Sequence, residues 1–272
     1  MPPPDPDLGY FGPGSVTWRI HGSASTFVGG MRALLYQALH PRAMAGVDQF
    51  SDFRERPWRR LVRTIDYVLV HTYGTTQQAD DAAAHVRKLH KSIRGIDPVT
   101  GLPYSADDQD LLLWIHAVEV DSYLEAYRAY GAGLSGADAD RYVAERVRSV
   151  EMLGLVPGRA PGTVGELKDY LTSVEGELVL SDSARGVRNL VMRSPVPFPF
   201  NTPLRLPGAA AAVILPAQPR AMYGLQWPWP VDRAVRVAGR LACATIGPFV
   251  PDAPVVRSAR RRAREAAASK AA

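Results

Sequence analysis

The chain has a single cysteine, Cys243, in 272 residues. One thiol excludes an intrachain disulfide and any cysteine-based zinc site. It lies in the apolar run VAGRLACATIG, which reads as core. No stretch of about 18 apolar residues occurs, so no membrane-spanning helix is expected. No alternation of period two lasts long enough to predict a sheet. C-x-x-C, the Walker loop, G-x-G-x-x-G and G-x-S-x-G are all missing, and with them the common signatures of dithiol, nucleotide and serine-hydrolase chemistry. The opening MPPPDPDLGYFGPG has neither a basic n-region nor an apolar h-region, so no signal peptide and a cytoplasmic setting are expected.

Hydrophobic residues make up 46% of the chain and charged residues 22%, a globular balance without the bias of disorder. The net charge of +5 sits largely in the last stretch, where Arg257, Arg260, Arg261, Arg262, Arg264 and Lys270 face Glu265 alone. A near-neutral body argues against nucleic-acid binding. The tail reads as a frayed, solubilising helix, with docking on a membrane or nucleic acid as the other reading.

Apolar residues recur at helical spacing along most of the chain. Helices are predicted over 23–39, 57–71, 77–93, 105–130, 137–153, 163–171 and 181–192, and again over 208–215, 217–224 and 230–246. Ser105 is the expected N-cap of the fourth, and Thr163 with Glu166 forms a candidate capping box. Residues 194–208, SPVPFPFNTPLRLPG, hold too many prolines for a regular helix or central strand and are expected to cover an apolar cavity. The sequence thus predicts one all-α, multi-helix domain over 15–250, an N-terminal extension over 1–14 and a basic tail over 251–272.

Among six histidines, His90 has the most telling neighbours. Arg87 precedes it by three positions and Arg94 follows it by four, so on one continuous helix all three share a face. Cations on both sides depress the imidazole's proton affinity. Such a neutral imidazole suits a metal, and the guanidiniums suit carboxylates of the same ligand. Haem b offers both, an iron needing a nitrogen donor and two propionates needing bidentate partners. A solvated basic helix face has the same spacing. One helix earlier, Arg60 and Thr64 stack at i,i+4 with Arg63 beside them, a pattern suited to steadying dioxygen or a propionate, or to a plain surface. His116 and Glu119 form H-x-x-E in the most apolar helix. A carboxylate-bridged di-iron bundle needs a second such pair, and none is found. A buried polar network, or a histidine lining the cavity, is the other reading.

In order along the chain, the segments LLYQALHPRAMAGV, RRLVRTIDYV, VRKLHKSIRG, GLPYSADDQDLLLWIHAVEVDSYL, LGLVPGRAPGTVGELKDYL and LPAQPRAMYGLQW resemble the MpaB-like oxygenase family, which includes the bacterial rubber oxygenases. The resemblance implies an all-helical haem b protein. Arg87, His90 and Arg94 resemble the family's R-x-x-M-H-x-x-x-R, whose histidine ligates iron. Arg60, Arg63 and Thr64 resemble R-x-x-K-T on the other side of the haem. Arg63 stands at the lysine position; arginine stays protonated and is a poor ligand, which favours an open or water-bound distal site. The family's upstream catalytic glutamate has no counterpart in AMAGVDQFSDF, where Asp48 and Asp52 are the available acids. The implied activity is oxidation by dioxygen of a hydrophobic, prenyl-type or other alkene substrate, with a non-catalytic haem binder as the alternative. As a histidine that could line the cavity, His116 is a further candidate to face the cofactor.

Overall fold

The computed structural model describes residues 6–51, 55–192, 202–249 and 251–271. The expected cover formed by SPVPFPF falls mostly outside them. The described residues form thirteen α-helices and one two-stranded hairpin. The helices are α1 (Val16–His21), α2 (Ser25–Gln37), α3 (Pro41–Phe50), α4 (Pro57–Tyr73), α5 (Thr76–Ser92), α6 (Gln109–Tyr130), α7 (Gly136–Glu151), α8 (Val164–Ser173), α9 (Asp182–Met192), α10 (Thr202–Ala212), α11 (Ala217–Met222), α12 (Trp229–Ile246) and α13 (Pro254–Ala271). The all-α class read from the sequence is what the chain adopts.

Helix α6 is the spine. From Leu111 to Tyr130 it is buried nearly all round, so apolar residues on every side find neighbours. Its cap is Asp108, not Ser105: the carboxylate accepts from the amides of Asp110 at 2.8 Å and Leu111 at 3.4 Å. Ser105 is taken up by strand pairing instead. Helix α2 lies along α6 at very close range, with Gly29 against Tyr123 and the Ser122 carbonyl. The pair is pinned by Arg32, only 2% exposed. It donates to Asp121 at 2.7 Å, to the Ser122 hydroxyl at 2.6 Å and to the Ile214 carbonyl at 2.9 Å.

Helices α1 and α3 were not foreseen, and α10 starts earlier than the 208–215 expected. His40 does not simply end α2; its side chain accepts the Ala43 amide at 3.3 Å and caps α3, with Pro41 in the first turn, where a missing N–H costs nothing. Helix α10 begins at Thr202, inside the proline-rich stretch, and continues past Pro207. The stretch 94–105 is also more than a loop. Strand β1 (Arg94–Ile96) pairs antiparallel with β2 (Pro103–Ser105), with Gly95 opposite Tyr104. A Cβ on Gly95 would stand 2.8 Å from Gln49 Oε1 and 2.9 Å from the Tyr104 hydroxyl, so glycine lets these two side chains keep their mutual hydrogen bond across the hairpin. The Asp97 carboxylate closes its turn by accepting from the amides of Val99 and Thr100.

The two ends of the chain are tied together. Asp7 accepts from the Thr76 amide at 2.8 Å, and the Tyr10 hydroxyl donates to Asp80 at 2.7 Å, so the extension wraps over the start of α5. The basic tail is not frayed. Val256 and Ala259 of α13 are buried against Tyr73, and Arg262 donates to the backbone carbonyls of Tyr73 at 2.7 Å and Asp7 at 2.9 Å. Among the described residues no helix is long and apolar enough to cross a membrane.

Candidate functional site

Helices α4 and α5 are joined by Gly74 and Thr75 and pack as a hairpin. From that junction α4 leads back to Arg60, Arg63 and Thr64 in its first half, and α5 leads on to His90 near its end. The imidazole of His90 is half-buried and makes no side-chain hydrogen bond among the described residues, and its Nδ1 is buried without a partner. Burial lowers its pKa, against the opposing pull of Asp107, so the ring is neutral and keeps a lone pair for a ligand.

The expected arginine pair does not share a helix face with it. Helix α5 stops at Ser92 because Ile93 turns extended, with φ −95° and ψ 100°, to enter the hairpin. Arg94 consequently sits on β1, 65% exposed, 3.4 Å from Asp107. Arg87 does lie one turn before His90, but its guanidinium donates to the Met152 carbonyl. The spacing argument failed because it assumed a helix reaching Arg94.

On α4, every residue from Val62 to Asp66 is exposed, Val62 by 54% and Ile65 by 37%. Five consecutive residues cover more than a full turn, so this turn lacks the buried stripe of a packed helix. Leu89, beside His90, is 48% exposed. Apolar residues left uncovered on both arms, with a partnerless imidazole on one, fit a flat apolar group with an acceptor metal. Arg63 and Thr64 lie in the exposed turn, and the side chain of Arg60 lies outside the described residues. Asp48 accepts from the Ser183 hydroxyl at 2.8 Å, and Asp52 also lies outside the description.

Deeper in, the second half of α4 faces α6 and α7 across a buried polar cluster. Glu119 accepts from Arg146 Nη2 at 2.7 Å. Arg146 is only 3% exposed, yet its Nε and Nη1 are buried without partners, as is the Tyr67 hydroxyl. His71 packs on Tyr67 with ring centroids 5.8 Å apart and touches Met152 Sδ at 3.3 Å. His116 is 7% exposed and makes no side-chain hydrogen bond among the described residues. Burial first, then the Arg146 cation, lowers the pKa of both His71 and His116 to about 3. His21 is likewise held neutral between the hydroxyls of Thr72 and Tyr142, at 3.2 and 3.0 Å. Phe11, from the N-terminal extension, lies over this cluster, 5.6 Å from both the His71 ring and the Arg146 guanidinium carbon.

The family model for the catalytic domain of the ER-bound oxygenase mpaB/B' and rubber oxygenase matches residues 18–246. The chain belongs to this family. No curated protein and no solved structure gives a match. The matched span takes in both arms of the α4–α5 hairpin and the buried cluster except Phe11, so both belong to an mpaB/rubber-oxygenase catalytic domain.

In this member of the family, Glu119 is engaged with a guanidinium, and among the described residues no three His, Cys, Asp or Glu side chains gather as metal ligands would. The described residues therefore offer no donor set for a di-iron arrangement. Arg146 and Tyr67 were missed by sequence reasoning. The signal for Arg146 was present, because Tyr142, Val143, Arg146, Ser149 and Val150 form the buried stripe of α7 and a charge on that stripe is out of place.

Proposed function

We propose that the protein is a haem b-dependent oxygenase that uses dioxygen to oxidise a hydrophobic, alkene-bearing substrate. Membership in an oxygenase catalytic-domain family supports the reaction class. The observation that carries the cofactor is His90, a neutral, half-buried imidazole with a buried nitrogen lacking any partner. Haem, when bound, supplies the redox chemistry with dioxygen that no side chain can perform.

The chain's own part is to hold and to exclude. His90 supplies the nitrogen ligand. Val62, Ile65 and Leu89 offer apolar area whose burial favours seating a flat group and keeps water from its faces. Thr64 and Arg63, with Arg60 one turn earlier on α4, would offer hydrogen-bond donors to dioxygen or to the cofactor's acids. Arginine is a poor metal ligand, so Arg63 would act as a donor and not as a ligand. Arg87 and Arg94 keep donors beyond those already engaged and border the His90 end of the hairpin.

The test is the visible spectrum of the purified chain with iron analysis, repeated for His90→Ala, alongside oxygen consumption with a prenyl-type alkene. A Soret band that falls at least tenfold per protein in His90→Ala is expected, with oxygen uptake lost in parallel. Unchanged haem content in the variant removes His90 as the ligand. A Soret band without substrate-dependent uptake replaces the oxygenase by a haem-binding protein.

A further inference from the structure

We propose that Arg146, Tyr67 and His116 form an internal binding site for a carboxylate. The argument starts from unmet hydrogen bonding. A guanidinium cannot give up its proton and carries five N–H donors. One edge of Arg146 is engaged by Glu119, while Nε and Nη1 point into the interior without a partner. The Tyr67 hydroxyl is buried in the same state. His116 lies one turn before Glu119 on the same face of α6 and makes no hydrogen bond among the described residues. Leaving such groups buried and unsatisfied is costly, most of all for a charged donor.

These groups share one interior. Phe11 touches both Arg146 and His71, and Tyr67 stacks on His71. What they lack is an acceptor. Inside, Arg146 meets Glu119 alone and keeps two N–H groups without an acceptor, while Arg87 and Arg148 lie at the surface. Open donors on a buried cation beside an unpartnered hydroxyl suit an anionic acceptor. A carboxylate has two oxygens that can accept from a guanidinium and a hydroxyl together, as charge-assisted bonds. The neighbouring rings of Phe11 and Tyr67 suit an acid with an apolar body.

Such a carboxylate has two sources, a free organic acid or the propionate of a bound porphyrin. Only the second source rests on the haem reading. The purified full chain, stripped of any porphyrin, is compared with Arg146→Met, Arg146→Lys and Tyr67→Phe. Acetate and butyrate are titrated by calorimetry. Haemin and its dimethyl ester, which lacks free carboxylates, are titrated by absorbance.

A free-acid site gives a saturable heat with acetate or butyrate that weakens at least tenfold in Arg146→Met and several-fold in Tyr67→Phe. A propionate site binds haemin at least tenfold more tightly than the diester, and Arg146→Met erases that preference. Should Arg146→Met fail to fold, Tyr67→Phe removes one donor at nearly constant volume, and Arg146→Lys keeps the charge but loses the planar fork; both weaken binding. The absence of any heat, together with equal binding of haemin and diester, overturns the carboxylate site and assigns the donors to water. Equal binding of the two porphyrins leaves the haem reading intact. Acetate binding without haemin binding sustains this site while removing haem.

Discussion

Adjacent glycines on α2 are expected to respond to alanine with opposite signs. In a helix interior, Gly→Ala ordinarily stabilises by about 0.8–1 kcal/mol, because alanine loses less backbone entropy. At Gly30 that gain is available, since an added Cβ would find its nearest neighbour, the Tyr123 hydroxyl, 4.0 Å away. At Gly29 the new Cβ would stand 2.7 Å from Tyr123 Cδ1, 3.1 Å from Tyr123 Cα and 3.2 Å from the Ser122 carbonyl oxygen. Two of those atoms are backbone, so no rotamer change relieves them. Moving α2 away from α6 would stretch the Arg32 bonds to Ser122 and Asp121, made at 2.6 and 2.7 Å. Overpacking of this kind costs roughly 1–3 kcal/mol, which exceeds the propensity gain. Gly30→Ala is expected to be more stable than the parent by up to about 1 kcal/mol, and Gly29→Ala less stable by about 1–2 kcal/mol. The two should differ in melting temperature by about 4–8 °C. Urea unfolding followed by circular dichroism reads both. If Gly29→Ala equals or exceeds the parent, the close α2–α6 contact is not a fixed feature of the fold.

Asp121→Ala leaves Arg32 buried without its anion and should cost about 3–5 kcal/mol, whereas the joint change Arg32→Met with Asp121→Leu should cost far less; urea midpoints separate the two. Acid should destabilise the protein through its buried histidines. His71 and His116 take up a proton near pH 6.5 when unfolded but only at about 3 when folded, so the unfolded state binds more protons between those limits. Their stabilisation is complete above pH 6.5 and is lost as pH falls toward 3, at up to about 1.4 kcal/mol per pH unit for each. His71→Leu should reduce that slope in urea titrations between pH 6 and 4.5 by about one proton's worth, and an unchanged slope would contradict the burial of His71. Deleting residues 251–272 uncovers Tyr73 and removes both Arg262 bonds, so the melting temperature should fall by several degrees; no change would show that α13 is not docked.

The all-helical class was legible because a period of 3.6 residues is a local property, and α2, α4, α5, α7 and α9 fall within a few residues of their predicted bounds. Caps were less so. Asp108 and Ser105 are both acceptable N-caps, and only the pairing of Ser105 with Arg94 decides between them. The same hairpin undid the grouping of Arg87, His90 and Arg94, since a glycine at position 95 reads as a helix stop but does not reveal that the chain turns extended two residues sooner. The motif singled out His90, and the fold leaves its imidazole half-buried with Nδ1 unpartnered. The buried cluster was only half legible: H-x-x-E marked His116 and Glu119, but the Arg146 that pairs with Glu119 lies 27 residues beyond it on another helix, a distance no local pattern spans.

Rigidity is distributed unevenly along the α4–α5 hairpin, and that distribution bears on how it can work. Its closed end is clamped from three directions. Gly9 lies so close to the Gly74 carbonyl that a Cβ there would stand within 2.2 Å, Asp7 holds the first amide of α5, and α13 covers Tyr73. Its open end carries the fully exposed turn Val62–Asp66 on one arm and the partnerless His90 on the other. Local opening begins where buried apolar contacts are fewest, so amide exchange is expected to be fastest around Val62–Asp66 and slowest around Tyr73, where α13 and the N-terminal extension pack against the Gly74 end.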